Sequence, residues 1–142
     1  MKKLTAMDCQ IALKRGFAPW IQALDLKVED VQPGKARLRM PANPAVLRVG
    51  DIVCGQALMA LADTVMVFAV ASTMGEFRPM TTATQNTSFL RPAPAGDLIV
   101  EGRVIKSGRS LVFGEAIITA AGNPEPIATA TLTLSLPPLK PG

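Results

Sequence analysis

The sequence predicts an α+β domain in which one antiparallel sheet wraps a single long, buried helix. Three observations predict it. Residues 54–74 form an apolar, proline-free stretch too long for a strand; four successive segments after it alternate at period two between turn signals; and a hairpin pattern precedes it. Only one helix is long enough to cover the sheet, so the other face is expected to be solvated, short of cover or packed on a second subunit.

At 142 residues and 49% hydrophobic, the chain suits one domain spanning residues 1–142, with a disordered tail at 137–142. Residues 4–15 have helical character and predict a short N-terminal helix; beyond the breaker Gly16, residues 17–24 remain apolar. Leu24, Leu26, Val28 and Val31 lead to the turn dipeptide Pro33-Gly34, and Ala36, Leu38 and Met40 alternate on its far side, which is a hairpin. Residues 41–53, with Asn43-Pro44, read as a loop. The long helix follows, rich in Ala, Leu, Met and Val, and its single charge is Asp63. About 20 such residues also meet the length of a membrane span. A mid-helix Asp costs about 2.5 to 3.5 kcal/mol in a bilayer, and strand patterns follow directly, so a buried core helix is expected instead.

Turn signals at residues 92–96, Ser107-Gly108 and Gly122-Asn123-Pro124 divide the second half into four antiparallel strands. The last is the clearest, with Ala128, Ala130, Leu132 and Leu134 on one face and Thr129, Thr131, Thr133 and Ser135 on the other. The first, residues 80–91, differs: Thr81, Thr82, Thr84, Gln85, Asn86, Thr87 and Ser88 put polar groups on both faces, as a strand lining an interface or a site does. The seven methionines are expected to be adaptable core packing.

Composition excludes several functions. The formal charge of +4 is scattered, without a basic run or interleaved aromatics, and with no Tyr and one Trp there is little for a nucleic acid to stack on. A modest positive balance suits a phosphate-bearing small molecule. Two cysteines make no disulfide framework, and Asp8, Gln10, Lys14 and Arg15 interrupt any secretory signal, so a reducing, cytoplasmic setting is expected. The chain has no histidine, which removes the Ser-His-Asp triad and the histidine-containing zinc sites together; GxSxG is absent, and no metal centre is expected.

Asp63 is the candidate for chemistry, because a carboxylate within an apolar helix must be paired, exposed in a cleft, or tuned. Its helical neighbours Met59, Ala60, Met66 and Val67 offer no cation. Gly55, in Val53-Cys54-Gly55-Gln56, stands at the helix start, where backbone N–H groups lack helical partners and are able to hold a developing oxyanion. Cys54 is read as a small space-filling residue rather than a nucleophile, since no base is available to activate it. Gly55 and Asp63 are eight residues apart, about 12 Å along one helix, and cannot hold the same carbonyl. Two helices antiparallel about a two-fold axis would place each N-terminus against the other chain's Asp63 and form two composite sites.

The run Gly55-Gln56-Ala57-Leu58-Met59-Ala60-Leu61-Ala62-Asp63-Thr64, followed by Asn86-Thr87-Ser88-Phe89-Leu90-Arg91-Pro92-Ala93, resembles the PaaI-like acyl-CoA thioesterases of the hotdog superfamily. The resemblance covers residues 24–136. It implies a hotdog fold and a homodimer or dimer-of-dimers homotetramer. The implied reaction is hydrolysis of acyl-CoA, with no cofactor beyond the coenzyme A carried by the substrate. It also implies a site shared between subunits, in which Asp63 acts as base or nucleophile, Gly55 N–H binds the thioester oxygen, and Gln56 and Thr82 stand beside the reacting groups. Arg91 and the turn Lys106-Ser107-Gly108-Arg109-Ser110 match positions that contact coenzyme A in relatives. The chain departs from the family where Cys54-Gly55-Gln56 replaces the usual His-Gly-Gly and Arg48 replaces an Asn. A thiolate, with a conjugate pKa near 8.5, leaves without a general acid, so one base and one oxyanion donor suffice. The competing readings are a non-catalytic acyl-CoA or acyl-ligand binding protein and a structural oligomer without ligand.

Overall fold

The computed structural model describes residues 3–138, so residues 139–142 of the expected tail lie outside the described residues. Helix α1 spans Ala6–Gly16, two residues later than its apolar pattern begins, because Thr5 is its cap. The Asp8 N–H donates to Thr5 Oγ1 at 3.1 Å and the Thr5 N–H to Asp8 Oδ2 at 2.9 Å, a reciprocal box that satisfies two donors left over at the helix start. Lys14 and Arg15 in the last turn suit the negative end of the helix dipole. A four-residue helix α2, Pro19–Gln22, follows and brings Ile21 into the core.

Strands β1 (Lys27–Gln32) and β2 (Lys35–Met40) form the expected hairpin across Pro33-Gly34, with Gly34 at φ +79°, a conformation that favours glycine. Residues 41–53 are more ordered than a loop. A single 3₁₀ turn, Pro44–Val46, is capped by Asn43, and two-residue strands β3 (Leu47–Arg48) and β4 (Ile52–Val53) pair with each other. Runs this short carry no periodicity, which is why the sequence pattern does not reveal them.

Helix α3, Gly55–Met74, is the long apolar stretch, and it ends at Gly75 in the left-handed region at φ 70°. It is long and apolar enough to cross a membrane by length and composition, but 67% of its most apolar window is buried inside the domain. The Gly34 N–H donates to Ser72 Oγ at 2.9 Å, and that hydroxyl lies 2.7 Å from the Ala69 carbonyl and 2.9 Å from that of Gln32, tying the β1–β2 turn to α3.

The second half supplies β5 (Thr81–Phe89), β6 (Leu98–Ser107), β7 (Leu111–Ala120) and β8 (Pro126–Ser135). All strand pairs are antiparallel, in the order β1-β2-β6-β7-β8-β5, and α3 lies across one face, mainly on β6, β2 and β7. This is the hotdog arrangement, one central helix held by one curved sheet. Ala128, Ala130, Leu132 and Leu134 are buried on the α3 side of β8, as their alternation predicts.

Two glycines let the helix settle into the sheet. A Cβ on Gly114 would stand 2.0 Å from Met66 Cε and 2.8 Å from the Arg103 carbonyl oxygen, and one on Gly102 would stand 2.8 Å from Val65 Cγ1. The missing side chains leave the groove that Val65 and Met66 fill.

Candidate active site

Asp63 lies in the third turn of α3, half-buried, and the face it shares with Gln56, Met59, Ala60 and Val67 borders a cleft of about 710 Å³. These positions recur at i, i+3, i+4, i+7 and i+11, which is one side of a helix. Thr82 Oγ1 donates a hydrogen bond to Asp63 Oδ1. No Lys or Arg lines the cleft, and among the described residues no cation lies within salt-bridge distance of Asp63. The carboxylate therefore has one oxygen oriented by a hydroxyl and the other available to accept from water.

The opposite wall comes from the start of β5, where the register against β8 slips between Thr82 and Thr84. Ala83 is the extra residue of a bulge. In a regular strand Thr82 and Gln85 would point to opposite faces; one inserted residue puts both into the cleft, with Thr87 continuing on the same side. The Gln85 amide donates to the Met59 carbonyl at 3.1 Å and lies 3.1 Å from Thr87 Oγ1, bracing β5 against α3 one turn before Asp63.

Gly55 opens α3. Its preceding residue, Cys54, holds an extended conformation (φ −66°, ψ 150°) and supplies no side-chain cap; the Ala57 N–H donates to the Cys54 carbonyl at 3.1 Å, which leaves the Gly55 and Gln56 N–H groups without a helical partner. The Cys54 N–H bonds to the Val46 carbonyl at 2.9 Å and the Val53 N–H to that of Ala93 at 3.1 Å, which fixes where the helix begins. A Cβ on Gly55 would meet the Phe89 ring at 3.3 Å, so the glycine also admits that ring. Cys54 is a free, half-buried thiol, whereas burial, with Asp8 nearby, pushes the Cys9 thiol up to about 11.

The structure thus brings Asp63, Gln56 and Thr82 to one cleft. It does not bring the other expected residues there within one chain. The register aligns Thr82 with Leu134, Val112 and Ser107, which puts the turn of Lys106, Gly108, Arg109 and Ser110 at the Asp63 end of the sheet but three strands away, roughly 14 Å. Within that turn Gly108 N–H donates to the Leu111 carbonyl at 2.8 Å, and both Lys106 and Arg109 are exposed. Arg91 lies beyond the other end of β5, roughly 20 Å or more from Thr82, where it pairs with Glu125 at 2.7 Å. Arg48 is exposed and donates to its neighbour's carbonyl, Val49 O, at 3.1 Å.

Several lining residues escape the sequence reading. Phe17, Trp20 and Ile21, from the corner between α1 and α2, form one side of the cleft, and Met59 and Met80, expected as core packing, line it as well. Among the described residues no group of three His, Cys, Asp or Glu side chains is placed to hold a metal ion.

A family model described as thioesterase superfamily matches residues 49–127, which include Gly55, Asp63, Thr82 and Arg91. The chain is similar to "Putative esterase Ta0293" of Thermoplasma acidophilum, 28% identical over 80% of this chain and 77% of that one. Among solved structures it resembles a thioesterase family protein from Silicibacter pomeroyi, with TM-score 0.81, 26% identity and coverage of 89% and 93%. The E. coli PaaI protein of the phenylacetic acid degradation operon shares the fold, with TM-score 0.81 at 20% identity, covering 94% of each chain.

Proposed function

The chain belongs to the thioesterase superfamily, and from that premise we propose that it hydrolyses acyl-CoA thioesters to free acid and CoA, in a site completed by a second copy of itself. Kinship with proteins named as esterases and thioesterases supports a hydrolase or ligand-binding role in general. The observation that carries the finer reading is Asp63: a half-buried carboxylate without a cation, oriented by the Thr82 hydroxyl, open to a cleft of ligand size.

The second copy is suggested by β5. It is an edge strand of nine residues whose far edge has no partner among the described residues, and long unpaired edges are ordinarily covered. If two copies pair β5 to β5 antiparallel about a two-fold axis, the Phe89 end of one strand lies beside the Thr82 end of the other. Phe89 packs on Gly55, and Thr82 bonds Asp63. Pairing these strands therefore carries each helix N-terminus towards the other chain's carboxylate, and carries Arg91 with it.

In that arrangement the Gly55 N–H of one copy stabilises the oxyanion that forms on the thioester carbonyl, and Asp63 of the other activates water or attacks the carbonyl itself. The CoA thiolate then leaves without needing a proton donor; where Asp63 is the nucleophile, water finally hydrolyses the acyl-aspartyl anhydride to the free acid and restores the carboxylate. Thiol release measured across a panel of acyl-CoAs tests the proposal. Asp63→Asn is expected to lower turnover by about 10² to 10⁴ while the fold and the assembly survive. An unchanged rate removes Asp63 from the reaction; saturable acyl-CoA binding without thiol release in the unmodified protein favours the non-catalytic alternative, to which the Cys54 and Arg48 departures point.

A further inference from the structure

The Asp63 cleft is polar where β5 lines it and apolar where the α1–α2 corner lines it. After α1 ends, the chain turns back over α3, and Phe17, Trp20 and Ile21 come to face Met59 and Val67. Pro19, the first residue of α2, has a fixed φ, and the Ile21 and Gln22 N–H groups both donate to the Ala18 carbonyl, at 3.0 and 3.1 Å, so the corner is a hydrogen-bonded turn. The Phe17 ring is anchored on Phe68 at 5.6 Å, and Phe68 meets Phe77 edge-on at 6.4 Å. Trp20 stands outside this stack and is 59% exposed, on the rim of a cleft whose one charged residue is Asp63. A large aromatic face left open beside a catalytic carboxylate has surface to give to a ligand.

We propose that this corner is the acyl-selecting wall of the site, and that Trp20 is the residue that sets the preference for the size of the acyl group. The inference rests on the thioesterase reading of Asp63. The acyl group lies as a neutral, apolar body between Trp20 and Phe17 on one side and Met59 and Val67 on the other. An acyl group ending in a carboxylate is disfavoured, since the cleft holds a negative charge and no cation to offset a second one. For the same reason the phosphates of CoA stay outside it.

Trp20 is the single tryptophan of the chain, so its fluorescence reports occupancy of the wall without any catalysis. The unmodified protein is titrated with S-hexyl-CoA, a thioether that cannot be hydrolysed, and with CoA alone. A saturable change in emission with the first, and none with the second at equal concentration, is the expected result. Thiol release is then compared for hexanoyl-CoA, acetyl-CoA, pentanoyl-CoA and succinyl-CoA. Trp20→Ala is expected to lower the hexanoyl-to-acetyl ratio of kcat/KM about tenfold, chiefly through KM, and Trp20→Phe to recover most of that loss. Succinyl-CoA is expected to be used about tenfold or more less well than pentanoyl-CoA, a chain of similar length without the charge.

An unchanged ratio in folded Trp20→Ala, or a preference for succinyl-CoA, overturns the wall. Thiol release accompanied by a silent Trp20 overturns it too, and leaves the hydrolase reading standing. A fluorescence response without thiol release from any acyl-CoA does the opposite: the apolar wall stands and the hydrolase reading falls. If Trp20→Ala does not fold, the titration of the unmodified protein decides, and no response to S-hexyl-CoA overturns the proposal.

Discussion

Replacing Gly55 by proline tests the proposed oxyanion donor with little disturbance to the helix that carries it. Gly55 is the first residue of α3, where a backbone N–H has no helical partner to lose and the fixed φ of proline is well tolerated. A proline also restricts the residue before it to extended conformations, and Cys54, at φ −66° and ψ 150°, already has one. The substitution therefore removes one N–H and adds a ring. The added bulk is controlled by Gly55→Ala, which brings the same Cβ to 3.3 Å from the Phe89 ring but keeps the N–H. Phe89 is 52% exposed and free to yield a few tenths of an ångström, so the alanine variant is expected to lose less than about 1 kcal/mol of stability. An oxyanion donor contributes about 2.7 to 4 kcal/mol, so Gly55→Pro is expected to lose about 10² to 10³ in kcat for thiol release, with Gly55→Ala near the parent rate.

The same variant locates the site between chains. In a dimer of one Asp63→Asn chain and one Gly55→Pro chain, a shared site leaves one of the two centres with both native groups and the other with neither. Random re-association of equal amounts makes about half the dimers mixed, so about a quarter of the parent activity returns from two nearly inactive parents. A site contained within one chain returns none. Equal loss in Gly55→Pro and Gly55→Ala, or no recovery on mixing, refutes the shared donor.

Three further outcomes are expected. Thr82→Val removes the hydroxyl that orients Asp63 and should lower kcat about tenfold with little change in KM, while Thr82→Ser retains most of the rate; thiol release distinguishes them, and equal rates for valine and serine would deny Thr82 its positioning role. Gly114→Ala forces a Cβ against Met66 and the Arg103 carbonyl, with an expected loss of about 1 to 3 kcal/mol and a Tm several degrees lower by calorimetry; an unchanged Tm would mean that α3 does not sit as deep in the sheet as described. On the outer face, the Arg39 guanidinium holds Glu29 below the usual carboxylate range, and the Ala42 N–H together with Arg39 does the same for Asp97. Because both pKa values are lowered by folding, their contribution is fully present above the ordinary carboxylate range, near pH 4, and is lost as pH falls below that range through the lowered values of the folded state. Tm measured from pH 6 to pH 3 should therefore decline less steeply in Glu29→Gln/Asp97→Asn than in the parent, and parallel curves would count against the assignment.

The fold was legible because its two periods are unambiguous. An apolar run of 20 residues ended by a left-handed glycine cannot be a strand, and the alternation along β8 leaves one face for α3 and one for threonines. The strand order was not legible. The placement of β5 next to β8, at the edge opposite β1, depends on contacts between segments about 50 residues apart, which no local pattern records. The small β3–β4 ribbon was invisible for a different reason, since two-residue strands held by neighbouring backbone groups have no side-chain signature.

The site was half legible for a related reason. Asp63 announces itself as the one charge in an apolar helix, and Thr82 follows once a family pattern is laid over the chain. Gln85 does not follow, because alternation alone sends it to the wrong face; only the bulge at Ala83 brings it beside Thr82. The mixed polarity of β5, which looks like noise at period two, is the trace of that bulge together with an edge that no other strand covers among the described residues. One strand thus holds the carboxylate's partner at its first turn of pleat and packs on the helix N-terminus at its last, with the two chemical groups kept apart by nearly its whole length. A single copy cannot close that gap, since helix and strand are both rigid at this scale. The proposed reversal about a two-fold axis would close it without moving any atom within either chain, which is why the proposed chemistry and the proposed assembly stand or fall on the same strand.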